Sequence, residues 1–140
     1  MAPPLRLGTG ATVREMPLKL LIIDDERALV AALRDFLEQR GYECECAFEV
    51  AEAQAVLAHM SFDVVLTDIY LSRLHEADGL RVLSFIRERC IDVRLIVMTA
   101  HSTPELESEV IRLGADVLLQ KPTSLAVLAD TLAAMAEVPR

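Results

Sequence analysis

Short apolar runs alternate along the chain with longer stretches of helical period, and five such pairs can be counted. Repeated β-α units around a parallel sheet produce this alternation. The first run, 18–23, feeds a predicted helix over 26–39, where Leu29, Leu33, Phe36 and Leu37 recur at i, i+4, i+7 and i+8. Gly41 follows as its C-terminal stop. At 42–47 charged and less polar residues alternate, the pattern of an edge strand with Glu43 and Glu45 facing water. An Ala-rich helix over 50–59, with Val56 and Leu57 inward, leads into 63–67, a continuous apolar strand expected to be buried on both faces.

Beyond Asp68 the pattern predicts a polar loop, 69–78, then a helix over 79–89 on the apolar face of Leu80, Leu83 and Ile86, and a fourth strand at 93–98. Ser102 stands at capping-box spacing from Glu105, Pro104 suits the first helical position, and Gly114 closes the helix that carries Leu106, Val110 and Leu113. The last strand is 116–119, Lys121-Pro122 turns the chain, and Leu125, Leu128, Ala129, Leu132 and Met135 form a final amphipathic helix. The predicted fold class is α/β, a doubly wound five-stranded parallel sheet with five helices. Right-handed crossovers then place helices on both faces and a ligand crevice beyond the carboxyl ends of the strands.

Composition narrows this picture. A chain of 140 residues, 53% apolar and 26% charged, suits one domain, taken as 18–137. Residues 1–17, with three prolines, two glycines and no apolar core of a secretory signal, read as a flexible N-terminal arm, and a cytoplasmic location is expected. Charges interrupt every apolar run before it is long enough to span a membrane. The three cysteines, Cys44, Cys46 and Cys90, are expected to be reduced and buried. A net charge of -8 argues against direct contact with nucleic acid, which needs Lys and Arg to displace counterions.

Polar residues gather at the predicted carboxyl ends: Asp24 and Asp25 after the first strand, Asp68 after the third, Thr99 after the fourth and Lys121 after the fifth. Any one of them is commonly a helix cap or loop residue; five converging from distant sequence point to a site. Three carboxylates held together repel, each pair by roughly 4 kcal/mol at about 4 Å and an effective dielectric near 20, so a cation is needed. Oxygen ligands with room for water and phosphate suit Mg²⁺. A carboxylate can attack phosphorus, and an ammonium and a hydroxyl can stabilise the charge that spreads over the equatorial oxygens. Lys121 and Thr99 supply those groups.

The sequences Ile23-Asp24-Asp25-Glu26, Val64-Val65-Leu66-Thr67-Asp68, Val97-Met98-Thr99-Ala100 and Gln120-Lys121-Pro122, in this order over 18–136, resemble the response-regulator receiver domain of two-component signal transduction, a flavodoxin-like fold. The resemblance implies that Asp68 accepts a phosphoryl group, that Asp25 ligates Mg²⁺ directly and Asp24 directly or through water, and that the Tyr70 carbonyl is a further ligand. It implies that Lys121 pairs with the phosphoryl group and that the Lys121-Pro122 bond is cis. The implied partners are a sensor histidine kinase or phosphotransfer protein, a downstream effector or output domain, and a second copy in a homodimer, with neither nucleic acid nor membrane. The only catalysis implied is Mg-dependent self-phosphorylation and self-dephosphorylation. With no output domain after Arg140, the expectation is a stand-alone receiver or one excised from a longer regulator.

Departures from the family pattern concentrate in the switch. Ser72 stands where a proline is usual, Gly79 comes about three residues late, and the loop 69–78, with Arg73, His75, Glu76 and Asp78, reads as an enlarged solvated loop. Leu118 replaces the switch aromatic. Tyr70 and His101, two residues after Asp68 and Thr99, are expected to hinder an attacking water and slow self-dephosphorylation. The alternative is a degenerate receiver that binds proteins independently of phosphorylation. A phosphohydrolase would want an early Asp-x-Asp where the chain has Asp24-Asp25-Glu26, and a flavin or cobalamin module would want motifs that are absent.

Overall fold

The computed structural model describes residues 18–70, 76–89 and 92–137, with the side chains of 76–78 and 136–137 outside the description. The arm at 1–17, Ser72, Arg73, His75 and Cys90 lie outside the described residues. The elements alternate strictly: β1 (Lys19–Ile23), α1 (Arg27–Gln39), β2 (Glu43–Ala47), α2 (Val50–His59), β3 (Val64–Asp68), α3 (Glu76–Arg89), β4 (Arg94–Thr99), α4 (Pro104–Arg112), β5 (Val117–Gln120) and α5 (Leu125–Glu137). All strand pairings are parallel, in the order β2-β1-β3-β4-β5, so the expected doubly wound sheet forms.

Pleating divides the apolar residues of each strand between two cores. Leu20 and Ile22 of β1, Leu66 of β3 and Ile96 of β4 face Val30, Leu33 and Leu37 of α1 and Leu128 and Leu132 of α5. Leu21, Ile23, Val65 and Leu95 face the other way, onto Ala53 and Leu57 of α2, Val82, Leu83 and Ile86 of α3, and Leu106 and Val110 of α4. Central β3 is buried at every position, as its unbroken apolar sequence requires. On the edge strand β2, Glu43 and Glu45 are exposed while Cys44 and Ala47 point inward.

Two local expectations are corrected. Helix α3 begins at Glu76, not 79, so the connection after Asp68 ends three residues earlier than predicted. Its first turn, Glu76-Ala77-Asp78, carries no apolar stripe and so resembles loop, although acidic residues favour a helix N-terminus. The N-cap of α4 is Thr103, whose hydroxyl accepts a hydrogen bond from the Leu106 N–H at 3.1 Å. Ser102 instead donates to the Glu107 carboxylate at 2.6 Å, so the Ser102–Glu105 box does not form.

Gly79, on the second turn of α3, ties the helix to the end of β3. A Cβ there would lie 2.0 Å from the Ile69 carbonyl oxygen and 2.4 Å from Ile69 Cα, so only glycine permits this approach one residue after Asp68. At the opposite end of the sheet Gly114 has φ 105° and lies under the Arg87 side chain. Arg87 reaches from α3 to the Val93 carbonyl at 2.8 Å and pairs with Asp116 at 3.2 Å. Asp116 in turn accepts the Leu95 N–H at 2.8 Å, which locks α3 to the entry of β4 and β5.

Candidate functional site

The carboxyl ends of β1, β3 and β5 bring together residues 53 and 97 positions apart. The Lys121 ammonium lies 2.8 Å from Oδ2 of Asp68 and 2.7 Å from Oδ2 of Asp24. β1 and β3 are hydrogen-bonded neighbours, which sets the two aspartates side by side. The Lys121-Pro122 bond is cis, as the resemblance implies, and the Lys121 N–H donates to the Thr99 carbonyl at 2.9 Å. This register against β4 directs the lysine side chain back across the sheet end.

Glu26, directly after the Asp24-Asp25 pair, is a further member of this cluster. Its Oε1 lies 2.9 Å from Lys121 Nζ, and one oxygen from each of Asp24, Glu26 and Asp68 falls within 4.8 Å of the others. An ammonium has three N–H donors, so these three carboxylates saturate it. The signal in the sequence was a third acid directly after Asp24-Asp25.

The site is dry at its base. Asp24 is 1% exposed and Asp68 6%. Burial pushes the Asp24 carboxyl above its usual range, more than the Lys121 hydrogen bond and the Glu26 N–H pull it down, and the Asp68 charge adds to the rise. Burial also works against the Lys121 ammonium, but its bonds to Asp24, Asp68 and Glu26 outweigh that and hold it above its ordinary value. Lys121 is a fixed cation here.

The donor set fits a hard divalent cation. Three carboxylates face one ammonium, an excess of two negative charges before Asp25 at the neighbouring position is added. Asp24 accepts from the Glu26 N–H at 3.0 Å through Oδ1 and from Lys121 through Oδ2. Asp68 likewise accepts from the Tyr70 N–H at 3.1 Å through Oδ1 and from Lys121 through Oδ2. Asp25 is half-buried, has no side-chain hydrogen bond or ion pair among the described residues, and lies outside the close group that Asp24, Glu26 and Asp68 form. All-oxygen donors without Cys or His suit Mg²⁺ rather than zinc.

Thr99 is fully buried one residue beyond Met98, the register partner of Asp68. Its hydroxyl oxygen accepts from the His101 N–H at 3.4 Å and bonds neither Asp68 nor Lys121. The rings of Tyr70 and His101, anticipated separately beside the site, meet edge to face with centroids 5.9 Å apart. Leu118, at the position of the expected aromatic, is half-buried and packs on the core cluster of α2, α3 and α4.

Comparison with known proteins places this geometry in a family. The family model for the response regulator receiver domain matches residues 20–133, and the chain belongs to that family. It is 34% identical over 113 residues to the alginate biosynthesis transcriptional regulatory protein AlgB of Pseudomonas aeruginosa, which covers 81% of this chain and 24% of AlgB. It is 32% identical over 120 residues to the sensor histidine kinase RcsC of Salmonella typhimurium, covering 86% of this chain and 12% of RcsC. The chain thus spans a quarter or less of these relatives. Among solved structures, a CheY-like response regulator receiver domain protein from Methanospirillum hungatei superposes with a TM-score of 0.81 at 25% identity, covering 86% of this chain and 94% of that one. No helix among the described residues is long and apolar enough to cross a membrane.

Proposed function

We propose that this receiver domain accepts a phosphoryl group from a histidine kinase or phosphotransfer protein on Asp68, with Mg²⁺, and thereby switches its binding of a partner. The observation that carries the reading is the buried Asp68 carboxylate held 2.8 Å from the Lys121 ammonium beside the acids at the end of β1. Asp25, Asp24, Asp68 and the Tyr70 carbonyl would hold the metal, which when bound neutralises the phosphoryl oxygens.

An Asp68 oxygen attacks the donor's phosphorus. The new O–P bond forms as the P–N bond to the donor histidine breaks, and the leaving imidazole keeps the electron pair and takes a proton from solvent. Lys121 then transfers an N–H from the Asp68 carboxylate to a phosphoryl oxygen, and Thr99 turns its hydroxyl from the His101 N–H toward another. Hydrolysis of the acyl phosphate reverses the state, so the chemistry is self-directed and no separate substrate is turned over.

The output surface is taken to be the α4-β5-α5 face, where Ile111, Leu125 and Val127 are exposed apolar side chains. An effector, an output domain or a second copy would read it, in the cytoplasm. Incubation with a small phosphodonor, with and without Mg²⁺, followed by intact mass tests the reading. One added phosphoryl group is expected only with Mg²⁺, and none in Asp68→Asn.

A further inference from the structure

Glu26 differs from the other two acids on Lys121. Asp24 and Asp68 are buried, whereas the Glu26 side chain is 61% exposed while still 2.9 Å from the ammonium. It heads α1 as the N-cap residue, yet its side chain makes no capping hydrogen bond, so helix capping does not explain its position. Glu26 and Lys121 also both line a partly open recess of about 370 Å³ between α1 and the β5-α5 turn, so there is space beside their contact.

Resting on the phosphoacceptor reading above, we propose that Glu26 is a positioning residue that parks the Lys121 ammonium in the unphosphorylated state and competes with the phosphoryl group for it. With a metal bound, Asp24 and Asp68 would share their oxygens with it and hold the ammonium less firmly, and the exposed Glu26 would be left as its remaining partner. A phosphoryl group on Asp68 brings new anionic oxygens to the same ammonium and displaces Glu26, which is held by one exposed bond. The Glu26 charge opposes the incoming anion twice, by occupying a Lys121 N–H and by direct repulsion.

The test uses BeF₃⁻ as the phosphoryl mimic at saturating Mg²⁺, titrated by NMR or calorimetry on the full chain. Glu26→Gln and Glu26→Ala are expected to tighten BeF₃⁻ about two- to fivefold, the range of an exposed ion pair, with thermal midpoints near wild type. The gain is expected to shrink at high salt as screening removes the competing charge. BeF₃⁻ affinity equal to or weaker than wild type in both variants overturns the parking role while leaving the phosphoacceptor reading intact. A wild-type chain that takes up no BeF₃⁻ overturns both.

Discussion

Oδ2 of Asp68 and Nζ of Lys121 lie 2.8 Å apart, joining the end of β3 to the turn after β5. The same ammonium holds Oδ2 of Asp24, so it occupies oxygens that a metal would also use. Lys121→Ala is therefore expected to act in opposite directions on two measurements. Phosphorylation should slow by at least about 10²-fold, because a preorganised cation facing the developing charge is gone. Mg²⁺ binding should tighten on the order of tenfold, because the competing cation is gone and the like charges of Asp24 and Asp68 are uncompensated. Calorimetric Mg²⁺ titration of wild type and variant decides the second point; weaker binding in the variant contradicts it.

Gly79 is expected to be irreplaceable even by alanine. A Cβ 2.0 Å from the Ile69 carbonyl forces α3 away from the end of β3. Gly79→Ala should cost about 2 kcal/mol or more in urea denaturation, at the upper end for overpacking. Because the moved backbone follows Asp68 directly, phosphorylation should fall along with stability.

The thiol of Cys44 is pushed up to about 12 from an ordinary 9.0, chiefly by burial, with the charge of Glu38 adding to the rise. The unfolded chain releases this proton near pH 9 and the folded chain retains it until about pH 12, so the stabilising contribution is complete below about pH 9 and is lost as pH rises between these values. Cys46 and Tyr42 shift in the same direction, also chiefly through burial. Urea midpoints measured from about pH 8 to about pH 11 should fall, and Cys44→Val should flatten part of the slope. A midpoint that stays level in wild type would count against the buried, protonated thiol.

Tyr70 and His101 meet at 5.9 Å, one following the acceptor and the other following Thr99. We propose that this pair narrows the approach of water to an acyl phosphate on Asp68. Tyr70→Ala combined with His101→Ala is expected to shorten the phosphorylated lifetime on the order of tenfold, read by loss of the phosphorylated mass over time. An unchanged lifetime would show that this pair does not govern the approach of water.

The element order was legible because burial imposes distinct periods on strands and helices. Unbroken Val64-Val65-Leu66, short and β-branched, fits a strand covered on both faces, and Leu29, Leu33 and Leu37 trace one face of α1. The start of α3 was not legible, since a helix's first turn can be polar and still satisfy its backbone. Ser102 and Thr103 both offer a hydroxyl, and only the path of the chain decides which one caps α4. Asp24, Asp68 and Lys121 announced themselves at strand ends. Glu26 did not, because it stands at the N-terminus of α1, where the helix dipole alone already favours an acid.

The central claim is that Asp68 carries the phosphoryl group, and locating the acyl phosphate tests it most directly. After incubation with a phosphodonor and Mg²⁺, borohydride reduction converts a phosphorylated aspartate to homoserine, which peptide mass mapping assigns to a position. Homoserine at position 68, dependent on Mg²⁺ and lost when Asp25→Asn removes the unpaired carboxylate, is the predicted result. Homoserine at another aspartate, or none while the intact chain gains a phosphoryl group, would contradict the account.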